Sequence, residues 1–135
     1  MSPSHGCTKL SPNSCPAVRE VLNRVGDKWS VLLIGMLRDG PKRFSELLRM
    51  IEGVSQRMLT LTLRGLERDG LVTRTVLPTI PPRVDYELTD LGQTLLEPIL
   101  ALSSWAAEHR FDVQDARARY DKKEKRAQAR LKTAR

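Results

Sequence analysis

The sequence of 135 residues lacks the features of several common protein classes. It has no run of the ~18 to 20 apolar residues that a membrane-spanning helix needs, and residues 1–13 lack the apolar region of a signal peptide. Its two cysteines, Cys7 and Cys15, are too few for a secreted disulfide scaffold. The length and these absences predict one cytoplasmic domain whose cysteines a reducing compartment keeps as thiols.

Motifs for catalysis are also missing. The chain has no phosphate-binding glycine loop, no nucleophile elbow and no His-Glu metal motif. His5 and His109 stand far apart, and each is expected to be a solvated surface residue. A metal site of His5, Cys7 and Cys15 would not have the ligand spacing of zinc fingers or ribbons. We therefore expect neither an enzyme nor a bound cofactor or metal.

Two amphipathic helical patterns flank a short turn at Glu52-Gly53-Val54. The first has an apolar stripe at i, i+3, i+4 and i+7, formed by Phe44, Leu47, Leu48 and Ile51. Ser55 is a preferred N-cap for the second helix, predicted over 56–69, and Gly70 is suited to end it. Two helices joined by a glycine turn predict a helix-turn-helix.

The second predicted helix has one apolar and one polar face at ~100° per residue. The residues predicted to face inward are Met58, Leu59, Thr62, Leu63 and Leu66. The residues predicted to face outward are Gln56, Arg57, Thr60, Arg64 and Arg68. Gln and Arg can read base edges in a DNA major groove, and Arg also neutralises phosphates. A solvated helix face with no DNA contact is the alternative interpretation.

Residues 71–77 and 83–88 are rich in β-branched or alternating residues and predict two strands of a hairpin. The connecting segment, 78–82, holds three prolines, which exclude it from a central ladder and make it a stiff loop. With Arg83 at its base and Arg74 on the first strand, this wing could reach a minor groove or phosphates. An ordinary constrained hairpin loop is the alternative.

The charge of the chain is unevenly distributed. Residues 112–135 hold nine Lys/Arg against four Asp/Glu, which leaves a net charge of +2 of the total +7 for residues 1–111. Residues 55–83 nevertheless hold five Arg against two acidic residues, so the predicted DNA face is locally basic. The basic tail could extend a helix or be disordered, and it could add non-specific affinity for DNA or be merely solvated.

Further helices are predicted on both sides of this unit. Residues 16–25 form a short helix with Pro16 in its first turn, and residues 28–38 form a mostly buried helix that Asp27 caps and the segment Asp39-Gly40-Pro41 ends. Lys42 and Arg43 then begin the helix-turn-helix, and we expect them on the side that contacts DNA phosphates.

A longer helix is predicted after Thr89, which can cap it, over residues 90 to about 110, with a kink at Pro98. Its apolar positions are Leu91, Leu95, Ile99, Leu102, Trp105 and Ala106. Because a winged unit leaves little core for this helix to cover, we expect it to pair with a second copy and form a homodimer; packing onto its own domain is the alternative. The expected fold is mainly α with a small β-hairpin wing (α+β), a flexible arm over 1–14, a core domain over 15–111 and a tail over 112–135.

Five segments of the sequence together form a pattern that is highly specific for one protein family. They are Cys15-Pro16, Val25-Gly26-Asp27-Lys28-Trp29, Asp39-Gly40-Pro41-Lys42-Arg43-Phe44, Ser55-Gln56-Arg57-Met58-Leu59 through Leu66-Glu67-Arg68-Asp69-Gly70-Leu71-Val72, and Pro81-Pro82-Arg83-Val84-Asp85-Tyr86-Glu87-Leu88-Thr89. They resemble the HxlR family of bacterial winged-helix transcriptional regulators, relatives of the MarR type. The resemblance implies a dimer through the N- and C-terminal helices, with the helix from Ser55 in the major groove of a palindromic operator. A repressor is the expected regulator. Gly65 departs from the family pattern at a cost of ~1 kcal/mol in a helix interior, which suggests a softer helix or close packing on a neighbour.

The resemblance also suggests a sensor. Some members of the family respond to oxidants or electrophiles through a cysteine that corresponds to Cys15, and a helix N-terminus favours the reactive thiolate there. Cys7 could resolve an oxidised Cys15, or Cys15 could bridge to a partner subunit. A structural cysteine without a sensing role is the alternative, as is a winged-helix module that binds protein or DNA without sequence preference.

Overall fold

The computed structural model describes residues 15–134, so the N-terminal arm, His5 and Cys7 lie outside the described residues. The described helices are α1 (Pro16–Val25), α2 (Lys28–Met36), α3 (Phe44–Met50), α4 (Gln56–Arg68), α5 (Asp90–Gln93) and α6 (Leu96–Thr133). The described strands are β1 (Lys42–Arg43), β2 (Val72–Leu77) and β3 (Arg83–Leu88). Contacts divide the chain into two compact units, Met1–Ile99 and Leu100–Arg135. The predicted α+β fold with a hairpin wing is confirmed.

Both helices of the helix-turn-helix, α3 and α4, begin at the residues that the sequence indicates, and α4 ends at Arg68, one residue before its predicted end. Gly53 in the turn has φ 86°, and Gly70 after α4 has φ 77°, a backbone region that favours glycine at both positions. The hydroxyl of Ser55 accepts a hydrogen bond from the backbone N–H of Met58 at 3.1 Å and so caps α4. Local chemistry thus fixes where α4 starts.

The core lies between α2, α3 and α4. Its fully buried side chains include Leu33, Ile34, Leu37, Leu47, Leu59, Leu63 and Leu66. Each such side chain contributes about 1.5 to 3 kcal/mol through burial. Asp27 starts α2 as predicted, because its carboxylate accepts from the backbone N–H groups of Trp29 and Ser30 at 3.2 and 3.3 Å. This α2 ends at Met36, where a 3-10 turn (Leu37–Asp39) replaces the predicted last turn of α-helix.

One residue of α4 does not face the way its pattern suggested. Met58 is 43% exposed rather than buried, whereas the other four predicted inward residues are buried. The centre of the buried face lies at Leu59 and Leu66. Met58 precedes Leu59 by one residue and so lies ~100° away from it around the helix, at the margin of that face. The prediction for Met58 was therefore wrong.

The sheet has three antiparallel strands in the order β1-β3-β2. In the predicted hairpin, Val72 pairs with Leu88 and Leu77 with Arg83. The first strand was not predicted, because two residues cannot show an alternating pattern. Its Lys42 pairs with Tyr86, so β3 lies in the centre of the sheet and fixes the start of α3 beside the wing.

The helix after the hairpin is broken rather than kinked. Thr89 caps α5 by accepting from the backbone N–H of Gly92 at 3.0 Å, but α5 ends at Gln93 and α6 begins at Leu96. Pro98 lies in the first turn of α6, where its missing N–H would have no partner within the helix. The predicted kink at Pro98 was wrong, since proline is tolerated at the start of a helix and its ring disfavours continuation from the preceding turn.

Helix α6 has 38 residues and continues through the segment that could have been disordered. Of the predicted apolar positions, Ile99 is buried and Leu95 is half-buried, but Leu91, Leu102 and Trp105 are more than half exposed in the single chain. None of the helices in the described range is long and apolar enough to cross a membrane. The long helix therefore leaves large apolar side chains exposed to solvent.

Candidate nucleic-acid interface

The outward face of α4 carries the residue types that read DNA. Gln56, Arg57, Arg64 and Arg68 are exposed, whereas Thr60 is half-buried. The Thr60 hydroxyl donates to the carbonyl oxygen of Gln56 at 2.8 Å, so its donor is used within the helix. The Ser55 hydroxyl accepts the capping bond, and its own proton can still be donated to a ligand.

An open groove of about 890 Å³ lies between α4, the start of α3 and the wing. Five predicted DNA-binding residues line it, namely Arg43, Thr60, Arg64, Arg74 and Arg83. Glu67 is the acidic residue in the lining, so four guanidinium groups face one carboxylate. The other predicted residues do not line this groove: Lys42, Ser55, Gln56, Arg57 and Arg68. The groove is thus a basic surface beside the middle and C-terminal part of α4.

Arg83, at the base of the wing, is held in place by Asp85. Its Nε–H donates to Oδ1 of Asp85 at 2.9 Å, and that carboxylate is the more buried partner. The hydrogen bond that Arg83 donates to Asp85 raises the pKa of Arg83 above its ordinary value, and the carboxylate charges of Asp85 and Glu46 act in the same direction. One of the five guanidinium N–H donors is used in this way. The guanidinium of Arg83 stays charged, and Asp85 fixes the direction in which its remaining N–H donors point.

Arg43 also lines the groove and is the N-cap residue of α3. Its backbone N–H donates to Oε1 of Glu46 at 3.2 Å, and its Nε lies 3.7 Å from the same oxygen. Arg43 is exposed and pairs with Asp85 across the β1–β3 ladder. Lys42 is half-buried beside it. The chain therefore brings Arg43 and Arg83 together around one acidic residue although they lie far apart in sequence.

The wing loop is stabilised by its own polar group. The Thr79 hydroxyl donates to the carbonyl oxygen of Pro81 at 2.8 Å, and the Thr79 N–H donates to the carbonyl oxygen of Leu77 at 2.8 Å. The Ile80 side chain at the tip is fully exposed. A stiff loop with an outward tip was predicted, but the exposure of Ile80 was not.

Sequence reasoning missed two further residues on this surface. Leu61, on α4, is 51% exposed and follows Arg57 by one helical turn, so extending the outward face by i, i+4 would have found it. An apolar side chain there can contact thymine methyl groups. Ser45 lines the groove from the first turn of α3, and no sequence signal distinguished it from other exposed serines.

Cys15 occupies the N-cap position of α1, as the sequence suggested. It is 2% exposed and disulfide-bonded, so the expectation of a thiol does not hold for Cys15 in this structure. Its carbonyl oxygen accepts from the N–H of Arg19 at 3.2 Å. Among residues 15–134, His, Cys, Asp and Glu side chains form no cluster of three that could hold a metal ion.

Comparison with known proteins agrees with this geometry. The model of the HxlR-like helix-turn-helix family matches residues 24–114. The uncharacterized HTH-type transcriptional regulator YtfH of Escherichia coli is 46% identical over 96 residues, which cover 71% of this chain and 75% of YtfH. YtfH from Salmonella typhimurium, a solved structure, superposes with a TM-score of 0.72 at 42% identity and covers 78% of this chain and 93% of its own.

A second solved structure is the redox regulator HypR in its oxidized form. It superposes with a TM-score of 0.64 at 44% identity, and the match covers 70% of this chain and 96% of HypR. The family model spans the helix-turn-helix, the wing and the first part of α6. The chain belongs to the HxlR family of helix-turn-helix transcriptional regulators.

Proposed function

We propose that this regulator binds a palindromic DNA operator as a homodimer, with α4 in the major groove and the wing at its flank. The observation that carries the proposal is the groove that Arg43, Arg64, Arg74 and Arg83 line along the middle and C-terminal part of α4. Four guanidinium groups against one carboxylate match the negative charge of a duplex. The groove therefore supports DNA as the ligand more strongly than the charge of the whole chain does.

Base reading is assigned to the first turn of α4. In helix-turn-helix proteins the N-terminal residues of the recognition helix contact base edges. Gln56 and Arg57 are exposed there, and each side chain can make a bidentate contact, Gln to adenine and Arg to guanine. Thr60 and Arg64 extend this surface by one and two turns.

Phosphate contacts are assigned to the residues around that helix. Ser55 caps its N-terminal end, Arg68 lies at its C-terminal end, Lys42 and Arg43 precede α3, and Arg74 and Arg83 belong to the wing. Such contacts fix the register of a protein on DNA without reading sequence. Loss of any of them should weaken operator and random DNA binding alike.

The homodimer is proposed from apolar side chains that the single chain leaves exposed. They are Val21 and Leu22 on α1, Leu91 on α5, and Leu100, Leu102 and Trp105 on α6, with exposed fractions of 39 to 59%. Large apolar side chains that a helix leaves exposed to this extent mark interaction surfaces. A two-fold dimer would present two copies of α4 about one DNA turn, ~34 Å, apart, as a palindromic site requires.

Redox control through Cys15 is the finer part of the proposal. Cys15 begins α1, its sulfur is in a disulfide, and the similar protein HypR is named a redox regulator. Reduction of the disulfide takes two electrons and two protons from a dithiol, which is itself oxidised, and leaves Cys15 as a thiol. We expect operator affinity, and hence repression, to differ between these two states.

The redox part is tested by comparing operator binding after treatment with dithiothreitol and with diamide. The parent protein should show two affinities, and a Cys15→Ser protein should show one. An unchanged response in Cys15→Ser would assign Cys15 a structural role. Cys7→Ser, tested in parallel, asks whether the second cysteine takes part.

The DNA-binding part is tested by selecting bound sequences from random duplexes, with reduced and with oxidised protein. Arg57→Ala or Gln56→Ala should then weaken the selected operator by about 1 to 3 kcal/mol and random DNA much less. Arg49→Ala, an exposed arginine outside the groove, is the control for loss of one charge. Equal losses on both DNAs would favour a module that binds DNA without sequence preference, and absence of DNA binding would favour a protein-binding module.

A further inference from the structure

The distal part of α6 lies beyond the residues that match the family. The match ends at residue 114, whereas the helix continues to Thr133, and every residue over 114–134 is exposed. This distal segment, 115–133, holds eight Lys/Arg against three Asp/Glu. The family relationship assigns it no role.

Most of the basic side chains of the distal segment lie on one side of the helix. At ~100° per residue, seven basic side chains fall within about half of the helix circumference. They are Arg119, Lys122, Lys123, Lys125, Arg126, Arg130 and Lys132. The opposite half carries Tyr120, Asp121, Glu124 and Leu131, together with Arg117, and Asp115 is the one acidic residue of the segment that falls among the seven cations. We call the half with seven cations the basic face.

The basic face is available to an external anion. Among the described residues, ion pairs within 4.0 Å join Arg24 to Asp69 and three other pairs, and none involves a side chain of the distal segment. Seven cations against the single carboxylate of Asp115 on one face of a helix repel one another and attract a polyanion. A row of phosphates along a duplex supplies that charge at regular spacing.

A lipid surface fits the segment less well. Helices that lie on membranes carry bulky apolar residues opposite their cations. Here Tyr120 and Leu131 are the large apolar residues of that half, and Asp121 and Glu124 stand among them. Anionic lipid would be repelled by these carboxylates, whereas a duplex that contacts the basic face alone would not meet them.

We propose that the basic face of α6 binds the phosphate backbone of duplex DNA as a second, sequence-independent contact region of this regulator. The proposal rests on the proposed function, because it takes the same duplex as ligand. Each phosphate that a cation neutralises releases counterions and adds about 0.9 to the slope of log affinity against log salt concentration. The face thus adds affinity at low salt and no discrimination between sequences.

The test is a variant in which four neighbouring cations are neutralised, Lys122→Gln, Lys123→Gln, Lys125→Gln and Arg126→Gln. Glutamine keeps helix propensity close to that of Lys and Arg, and far-UV circular dichroism confirms retention of the helix. On a random duplex of 40 base pairs we expect affinity to fall at least about tenfold at low salt. The salt slope should drop by ~0.9 for each phosphate that the variant no longer neutralises. The ratio of operator to random affinity should stay the same.

The matched control exchanges the same four residues for the other cation, with Lys122→Arg, Lys123→Arg, Lys125→Arg and Arg126→Lys. It should retain the parent's slope and affinity. An unchanged slope in the glutamine variant overturns the proposal. The proposal is also overturned if the glutamine variant loses binding to phosphatidylglycerol vesicles while its DNA binding stays intact. That result would assign the basic face to lipid.

These outcomes separate this proposal from the proposed function. Arg57→Ala should lower operator affinity with little effect on the slope measured on random DNA, which is the reverse of the result expected for the glutamine variant. A protein that shows a slope dependent on α6 but selects no operator would overturn sequence-specific reading and leave the basic face as a DNA contact.

Discussion

The guanidinium of Arg24, at the end of α1, lies across Gly65 of the recognition helix and donates its Nε–H to Oδ2 of Asp69 at 2.9 Å. A Cβ on residue 65 would overlap the Nη1 and Cζ atoms of Arg24. The glycine that departs from the family pattern therefore makes room for an ion pair between two helices. The suggestion that Gly65 packs closely on a neighbour is confirmed.

Gly65→Ala should change stability little, because two effects oppose each other. Alanine gains ~1 kcal/mol of helix propensity, whereas displacing Arg24 loses an ion pair of about 0.2 to 1 kcal/mol. We expect the unfolding free energy, measured in urea at fixed protein concentration, to stay within ~1 kcal/mol of the parent. Arg24→Ala should cost stability in the parent and nothing in the Gly65→Ala background; equal costs in both would mean that Arg24 and Gly65 are independent.

Gly92→Ala should behave very differently. A Cβ there would overlap the carbonyl oxygen of Leu71 and approach Cδ2 of Leu88 to 3.2 Å, and the backbone oxygen cannot move away as a flexible side chain can. We expect a loss of about 2 kcal/mol or more in urea unfolding.

Gly35→Ala is the control for Gly92, since a Cβ on Gly35 would meet no atom within 4 Å. It lies inside α2, so alanine should stabilise the protein by up to ~1 kcal/mol. A loss from Gly35→Ala as large as that from Gly92→Ala would show that close approach is not the cause.

Asp85→Ala tests how the wing holds Arg83. The change removes a negative charge beside the DNA groove and frees the guanidinium, so random DNA should bind more tightly while the ratio of operator to random affinity falls or stays level. Both affinities are measured by fluorescence anisotropy at one salt concentration. A higher ratio would mean that Asp85 hinders operator reading rather than directing Arg83.

The contribution of Arg83 to DNA binding should not vary with pH near neutrality. Its pKa is raised above its ordinary value, so the charged form that binds phosphate is fully present near neutrality and disappears only as the pH rises through the raised pKa. The reduction in affinity caused by Arg83→Gln should therefore be the same at pH 6 and pH 9. A reduction that shrinks towards pH 9 would contradict the assignment.

Leu102→Glu tests the dimer. Leu102 is 57% exposed on α6, and a carboxylate there would be buried without a partner if two copies pack on this face. Sedimentation at micromolar concentration should show a monomer, and affinity for a palindromic operator should fall. Ile80→Glu, on the fully exposed wing tip, should remain dimeric. A dimeric Leu102→Glu protein would place the interface elsewhere.

The sequence predicted most of what local chemistry decides. Ser55, Asp27 and Thr89 cap the helices that follow them, and Gly53 and Gly70 occupy the turns that require positive φ. Periodicity located the buried face of α4 except at its margin, where Met58 lies. Caps and turns depend on a few adjacent residues, so sequence spacing is sufficient to find them.

Contacts between residues that are distant in sequence could not be predicted from the sequence. Nothing near Gly65 indicates that Arg24 crosses it, since the two lie on different helices. The pairing of Arg43 with Asp85 depends on β1, which is too short to show a pattern. Residue types predicted five residues of the groove lining, but the position of Asp85 beside Arg83 and opposite Arg43 in the ladder depends on the packed sheet.

The Thr89 hydroxyl, which caps α5, also donates to the carbonyl oxygen of Gly70. One oxygen thus joins the residue that ends the recognition helix to the N–H of Gly92 in α5. The Thr89 N–H adds a bond to the carbonyl oxygen of Leu71 at 3.1 Å. A shift of α5 would strain these bonds unless the end of α4 moved with it, so the threonine works as a mechanical joint between α4 and α5.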